Sequence, residues 1–235
     1  MFCTGSASLG CMARYGQYCP ITRSLEVLGD RWTLLIVRDL LLGADRFNEI
    51  SRGLPSLSRG LLSKRLDHLV RCGLVDHADG RYTVTAAGEA LRPIVFGLAE
   101  WGARWAFGEP RPDELDATTL MWWIRGGIDV ARLGPRDPVV LEFRFRDGRR
   151  RLYWLVVRRD DVSLCFTRPD FAVDLVVDVG LDVLYQVWEG RIEYGAAVRD
   201  GLLTVTGETG LVRALPRALR FSPIAGYVRA AAAAR

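Results

Sequence analysis

Two halves with different periodicities predict a mainly α N-terminal half and an α+β C-terminal half with a mainly antiparallel sheet. Three observations carry this reading. Apolar residues recur at helical spacing from Ile21 to Leu42 and again from Leu62 to Val70. Val139 to Phe145 alternates strictly, with Val139, Leu141, Phe143 and Phe145 on one face and Glu142 and Arg144 on the other. Between the halves lies Gly108-Glu-Pro-Arg-Pro-Asp113, whose two prolines and glycine break a helix and suit a linker. The expected division is therefore 1–108 and 113–235. A chain of 235 residues holds two such units, each large enough to bury a core.

In chain order, Arg46–Arg52 reads as a short helix, followed by a turn containing Gly53 and Pro55. Ser58 is a good N-cap for a longer helix reaching Cys72. At about 100° per residue, Leu62, Leu66, Leu69 and Val70 share one arc. Gly60, Ser63, Lys64, Asp67 and Arg71 share the opposite arc, with Arg59 and Arg65 on the flanks. Leu61 fits neither face and is expected to pack on the preceding helix. Residues 51–71 carry Arg52, Arg59, Lys64, Arg65 and Arg71 against Asp67, a local excess equal to the whole chain's +4. Gly73–Val84 then reads as two short strands around Asp79-Gly80, with Arg81 at the turn. Thr85 is expected to cap a long helix to about Phe107, bent at Pro93. Leu91, Ile94, Val95, Leu98, Trp101 and Trp105 form its apolar stripe.

Helix, turn, basic helix and a hairpin with an arginine at its tip is the layout of a winged helix-turn-helix. A helix of that kind enters the major groove, and flanking cations neutralise phosphates. A lone basic helix reads as a solvated face. Turn, wing and concentrated charge together favour double-stranded DNA as partner. Ser58, Arg59, Ser63 and Lys64 are the expected base or phosphate contacts, and Arg52, Arg65 and Arg81 the expected backbone contacts.

Composition limits the other classes. Hydrophobic residues make up 49% and charged residues 26%, and no apolar run approaches the roughly 20 residues that cross a bilayer. A disordered or membrane-spanning chain is not expected. The cations are 31 arginines and Lys64, a bias that reads as codon usage more than function. No basic residue precedes Arg14 and no apolar h-region follows, so no secretory signal is expected. The five cysteines are odd in number and irregular in spacing, which favours a reducing cytoplasm over a disulfide framework.

Cys19 precedes Pro20, a favoured first helical residue, and a thiolate there is stabilised by the helix dipole. It is a candidate reactive thiol, or a packed inert one. His68, Cys72 and His77 lie within ten residues, but no fourth ligand is evident and structural roles are expected. No metal, cofactor or catalytic set is expected: both histidines lie in the first half, and no glycine-rich phosphate loop occurs.

In the second half, a helix carrying Leu120, Met121, Trp122, Ile124 and Ile128 precedes the strands. Leu152–Val157 is a continuous apolar run, as for a strand buried on both faces. Further strands are expected at 173–179 and 202–206, with helices at 181–188 and 194–198 and one carrying Leu211, Leu215 and Leu219. Asp160-Asp161 reads as an exposed strand turn, and Arg149-Arg150-Arg151 as a solvated hairpin edge or, alternatively, a head-group contact. The alanine-rich 230–235 reads as a frayed or disordered tail. Trp122, Phe143, Phe145, Tyr153, Leu155, Phe166, Leu184 and Trp188 are the candidate apolar pocket, or plain core.

Two resemblances add to this. Cys19-Pro-Ile, Leu25–Ile36, Arg46-Phe-Asn-Glu-Ile50, Leu62-Ser-Lys-Arg-Leu66, Gly73-Leu-Val75, Tyr82–Gly88 and Trp101-Gly102 together resemble the HxlR-type bacterial transcriptional regulators over about 15–107. This implies a homodimeric DNA-binding regulator, most often a repressor, with a recognition helix at about 58–72 and a wing at 75–84. It implies dimerisation through the 85–107 helix with the N-terminal one, and a sensing cysteine in some members at the position of Cys19. The family pattern has a polar or basic residue near Gly60, so glycine there removes a base contact. Val173–Val179, Leu184, Trp188-Glu-Gly-Arg191 and Ala196–Gly207 resemble the sterol-carrier-protein type 2 fold, over about 113–222. That fold implies an apolar tunnel for a hydrophobic molecule.

The expected function is a non-enzymatic, cytoplasmic transcriptional regulator, acting as a homodimer on operator DNA. Its C-terminal half binds a hydrophobic effector or supports the dimer. The alternatives are a redox-sensing regulator acting through Cys19, and a lipid carrier whose winged half serves only dimerisation.

Overall fold

Pro20 opens α1 (Pro20–Leu28), where its missing N–H costs nothing. The computed structural model describes residues 15–147 and 152–234. Cys3, Cys11 and the arginine run 149–151 lie outside the described residues. The helical spacing from Ile21 to Leu42 resolves into two helices, α1 and α2 (Thr33–Leu41), broken at Gly29–Trp32, where Trp32 adopts the left-handed conformation with φ 81°. Then come α3 (Phe47–Gly53) and α4 (Arg59–Arg71), with the Ser58 hydroxyl accepting from the Leu61 N–H at 3.3 Å. Such a cap contributes about 1 kcal/mol. Strands β1 (Val75–Ala78) and β2 (Arg81–Val84) pair antiparallel around Asp79-Gly80. Both turn residues have positive φ, at 52° and 69°, which defines the type I′ hairpin turn.

Leu62, Leu66 and Leu69 of α4 are fully buried, together with Ile36 of α2 and Ile50 of α3. Leu61 is half-buried against the same core. The expected long helix from Thr85 is instead two: α5 (Ala86–Glu89) and α6 (Arg92–Trp105). Pro93 lacks an N–H and its ring would meet the carbonyl four residues back, so the chain turns at Ala90-Leu91 and restarts. The turn is tight, with the Leu91 N–H bonded to the Gly88 carbonyl at 3.1 Å. Gly88 admits no side chain, since a Cβ would lie 2.1 Å from the Leu74 carbonyl oxygen.

The chain divides into two compact units between Leu98 and Ala99, within α6. The second unit continues through α7 (Ala117–Gly126), β3 (Val139–Phe145), β4 (Leu152–Val157), β5 (Val162–Cys165) and β6 (Leu175–Val179). It ends with α8 (Leu181–Trp188), α9 (Tyr194–Arg199), β7 (Leu203–Gly207), α10 (Thr209–Ala218) and α11 (Ala225–Ala233). The sheet order is β5-β4-β3-β6-β7, antiparallel throughout except for the parallel pair β3 and β6. The expected mainly antiparallel α+β unit is what forms.

Alternation decides the faces. Leu141, Phe143, Phe145, Tyr153, Leu155 and Val177 pack with Leu120, Leu184 and Leu215 of the helices. Val140, Trp154 and Val156 form a separate buried cluster on the opposite face. Glu142, on that same opposite face, is buried, and the Trp154 indole N–H donates to it at 2.8 Å and Arg144 at 2.5 Å. The alanine-rich tail also departs from expectation. It forms α11, and Ala231 and Val228 are buried with Ala103 and Phe107. Small side chains let two helices approach closely, so low complexity here is packing.

Leu66→Ala is expected to destabilise the first unit by about 2–5 kcal/mol, since it opens a cavity in a filled core. Lys64→Ala, at an exposed position of the same helix, is expected within about 0.5 kcal/mol of wild type. Urea unfolding followed by fluorescence and circular dichroism checks both.

Candidate nucleic-acid interface

Burying the leucines of α4 turns its other arc outward, and Gly60, Ser63, Lys64, Asp67 and Arg71 are all exposed. Arg52, at the end of α3, and Arg59, at the start of α4, are exposed as well. The expected contacts are not equivalent. Arg59 stacks over the Phe47 ring at 4.7 Å and donates to the Asn48 amide oxygen at 3.0 Å. That presets its guanidinium across the turn between α3 and α4. Ser58 is committed to its capping bond. Lys64 and Ser63 project from the middle of the exposed arc, where a helix offers side chains to base edges.

Arg65 and Arg81 are placed differently from the expectation of simple backbone contacts. Arg65 is turned inward, its side chain only 22% exposed and ion-paired with Asp30 of the α1–α2 loop. Arg81 at the wing is half-exposed and paired with Asp45, the residue before Arg46. The wing is further tied down by the Tyr82 N–H, which donates to the Asp45 carbonyl at 2.7 Å. Asp30, Asp45 and Asn48 were not found by sequence reading. The two acids lie 35 and 36 residues from their partners, and no local spacing announces such pairs.

His68, Cys72 and His77 do not converge. The buried His68 ring Nε2 donates to the Val27 carbonyl of α1 at 3.2 Å, and the Cys72 sulfur sits 3.6 Å from the same nitrogen. His77 instead stacks on Tyr82 across the wing, centroids 4.1 Å apart. Among the described residues no three metal-ligating side chains gather. Burial, then the nearby Asp67 carboxylate, pushes the Tyr82 hydroxyl pKa up.

Cys19 occupies the N-cap of α1 with extended backbone. The Thr22 and Ile21 N–H groups favour its thiolate and hold the thiol below its ordinary pKa, although no full cap hydrogen bond forms to the sulfur. Cys72 and Cys165 are partly buried.

The stripe on α6 splits. Leu91 and Val95 are buried in the first unit's core, whereas Ile94, Leu98, Trp101 and Trp105 are at least half-exposed. On α1, Ile21 is 70% exposed and Leu25 46%.

In the second unit, Phe143, Leu184 and Trp188 line an apolar cavity with Ile124, Val187 and Leu215. Its volume is about 10 Å³, room for a single water-sized sphere. Phe145, Tyr153 and Leu155 are filled core, Phe166 is 43% exposed at the sheet's end, and Trp122 carries the Arg125 guanidinium over its ring at 3.9 Å. Among the described residues, no helix is long and apolar enough to cross a membrane.

The fold defines a winged helix-turn-helix in which α4 turns Lys64 and Arg71 outward. A model of the HxlR-like helix-turn-helix matches residues 27–109. The chain is 36% identical over 97 residues to the uncharacterized HTH-type transcriptional regulator YvaP of Bacillus subtilis (strain 168), covering 38% of this chain and 90% of that one. It is 37% identical over 100 residues to the uncharacterized HTH-type transcriptional regulator Rv3095 of Mycobacterium tuberculosis (strain ATCC 25618 / H37Rv), covering 40% of this chain and 61% of that one. The chain belongs to the HxlR-like helix-turn-helix family of transcriptional regulators. Among solved structures, the reduced form of the transcriptional regulator YodB from B. subtilis is 30% identical, covering 38% of this chain and 96% of that one, with a TM-score of 0.34. Sterol carrier protein 2 like 2 from Aedes aegypti is 20% identical, covering 43% and 94%, with a TM-score of 0.33.

A lowered thiol pKa means more thiolate at a given pH. Cys19 is therefore expected to alkylate faster with iodoacetamide than Cys72 or Cys165 at pH 7, and to keep that lead as pH falls below the ordinary thiol range. Peptide mass spectrometry of briefly treated protein reads the order directly.

Proposed function

We propose that this chain is a cytoplasmic, homodimeric DNA-binding regulator that reads operator DNA with the exposed arc of α4. The observation that carries this is the arc itself: Ser63 and Lys64 face out from a capped helix whose opposite side is fully buried. Arg52 and Arg59 flank it and supply phosphate contacts. Arg81 reaches the backbone from the wing after exchanging Asp45 for phosphate. Residues 1–108 serve DNA binding and dimerisation, and 113–235 form a partner unit without enzymatic activity.

The dimer forms through α1 and the outer stripe of α6. Tyr18, Ile21, Leu25, Ile94, Leu98 and Trp101 are exposed and apolar, and a twofold copy buries them in one isologous contact. Leu91 and Val95 support that surface from beneath. Repression is the expected sign of regulation.

For the signal, the Cys19 geometry favours oxidant or electrophile sensing over binding of a hydrophobic effector. The thiolate is stabilised at the start of α1. The cavity among Phe143, Leu184 and Trp188, at about 10 Å³, has no room for an acyl chain in this conformation. A supporting role for the C-terminal unit fits that filled core better than a carrier role does.

Lys64→Ala is expected to weaken operator binding about threefold to tenfold and to lower the slope of log affinity against log salt by about one. Fluorescence anisotropy across a salt series checks it. Trp101→Asp is expected to shift the protein from dimer to monomer in light scattering. A dimer that survives this change places the interface elsewhere.

A further inference from the structure

Two side chains of α4 reach across to the end of α1, and both make directional polar contacts. Arg65 pairs with Asp30, in the loop that follows α1. His68, one turn along the same face, gives its Nε2 proton to the Val27 carbonyl at 3.2 Å. That carbonyl belongs to the last turn of α1, where carbonyls have no partner within their own helix. A carbonyl only accepts, so the bond requires a proton on the His68 Nε2, and Nδ1 lies 3.8 Å from the Cys72 sulfur. The Arg65 Nε is fully buried and, among the described residues, has no acceptor. That guanidinium is held by position, not free to follow a phosphate.

The remaining buried groups of α4 are leucines. Apolar contacts are non-directional, and they tolerate small rotations of a helix about its axis. Two polar contacts, spaced i and i+3 and fixed to one neighbouring helix end, do not. The loop that carries Asp30 is itself constrained. Trp32 holds a left-handed backbone at φ 81°, and a Cβ at Gly29 would lie 2.5 Å from the Leu25 carbonyl oxygen.

We infer that Asp30 is a positioning residue for DNA recognition: through Arg65, and beside the His68 bond to Val27, it fixes the rotation of α4 and hence where Ser63 and Lys64 point. This rests on the reading of α4 as the recognition helix. It reassigns Arg65 from the phosphate contact expected of it to an internal clamp.

The sign of the effect separates this from electrostatics. Removing a carboxylate near a face that binds a polyanion tightens binding if charge alone matters. The clamp requires the opposite. The test uses the full chain and a duplex of about 30 base pairs that the wild-type protein recovers from a randomised pool. Affinity is read by anisotropy between about 50 and 200 mM salt. Asp30→Asn is expected to weaken binding about tenfold at every salt concentration with the slope unchanged, and Asp30→Glu to restore most of it. Arg65→Gln is expected to weaken binding by a similar factor, again with unchanged slope, and the double variant to be no worse than either single one. Asp30→Asn binding as tightly as wild type or tighter overturns the inference. So does an Arg65→Gln slope lower by about one, the mark of a lost phosphate contact. Should Asp30→Asn fail to fold by circular dichroism, the Arg65→Gln slope decides alone. If the wild-type protein recovers no duplex, it is the recognition-helix reading that falls.

Discussion

Everything the first unit offers to a partner depends on the burial of one leucine face. Leu62, Leu66 and Leu69 have no exposed surface, and each contributes about 1.5–3 kcal/mol by leaving water. Because an α-helix turns about 100° per residue, that burial leaves the opposite arc no other place than solvent. Gly60, Ser63, Lys64, Asp67 and Arg71 are thereby presented together on one arc. The Ser58 cap fixes where the helix begins, and the type I′ turn at Asp79-Gly80 fixes where the wing ends. Cations that merely crowd in sequence become a surface only through this geometry. Their partners then sort them: Arg59 is preset by Phe47 and Asn48, Arg81 is held by Asp45, and Arg65 is withdrawn by Asp30.

The second unit obeys a different constraint. Its sheet is apolar on both faces, so both must be covered. One face takes the helices and forms a large core around Phe143, Tyr153 and Leu155. The other gathers Val140, Trp154 and Val156, with Glu142 buried among them. A buried carboxylate is costly unless paired, and here Trp154 and Arg144 together satisfy it. The cavity among Phe143, Leu184 and Trp188 measures only about 10 Å³.

Local patterns in the sequence were sufficient for much of this. Strict alternation in 139–145 and the Asp-Gly hairpin at 79–80 belong to periods of two and to one dipeptide, and both appear where the pattern placed them. The amphipathic arc of α4 was equally local. What eluded the sequence was long-range or chemically plain. Asp30 and Asp45 gave no sign of their partners, because an ion pair 35 residues apart has no period. The helix expected from Thr85 to Phe107 breaks at Ala90-Leu91, since Pro93 restarts a helix as readily as it bends one. The stripe on that helix mixed core residues with exposed ones, because periodicity reports a face and not what covers it. The alanine tail concealed a packed helix for the same reason that it seemed featureless: Ala231 is useful against Ala103 because it is small.

The central claim is that this chain recognises duplex DNA as a twofold dimer through α4. Sequencing the duplexes that the full-length protein enriches from a randomised pool tests it most directly. Enrichment of a pseudo-palindrome with half-sites one or two helical turns apart, about 34–36 Å per turn, is the expected result. Recovery of unenriched sequence, with binding that does not fall as salt rises, would contradict it.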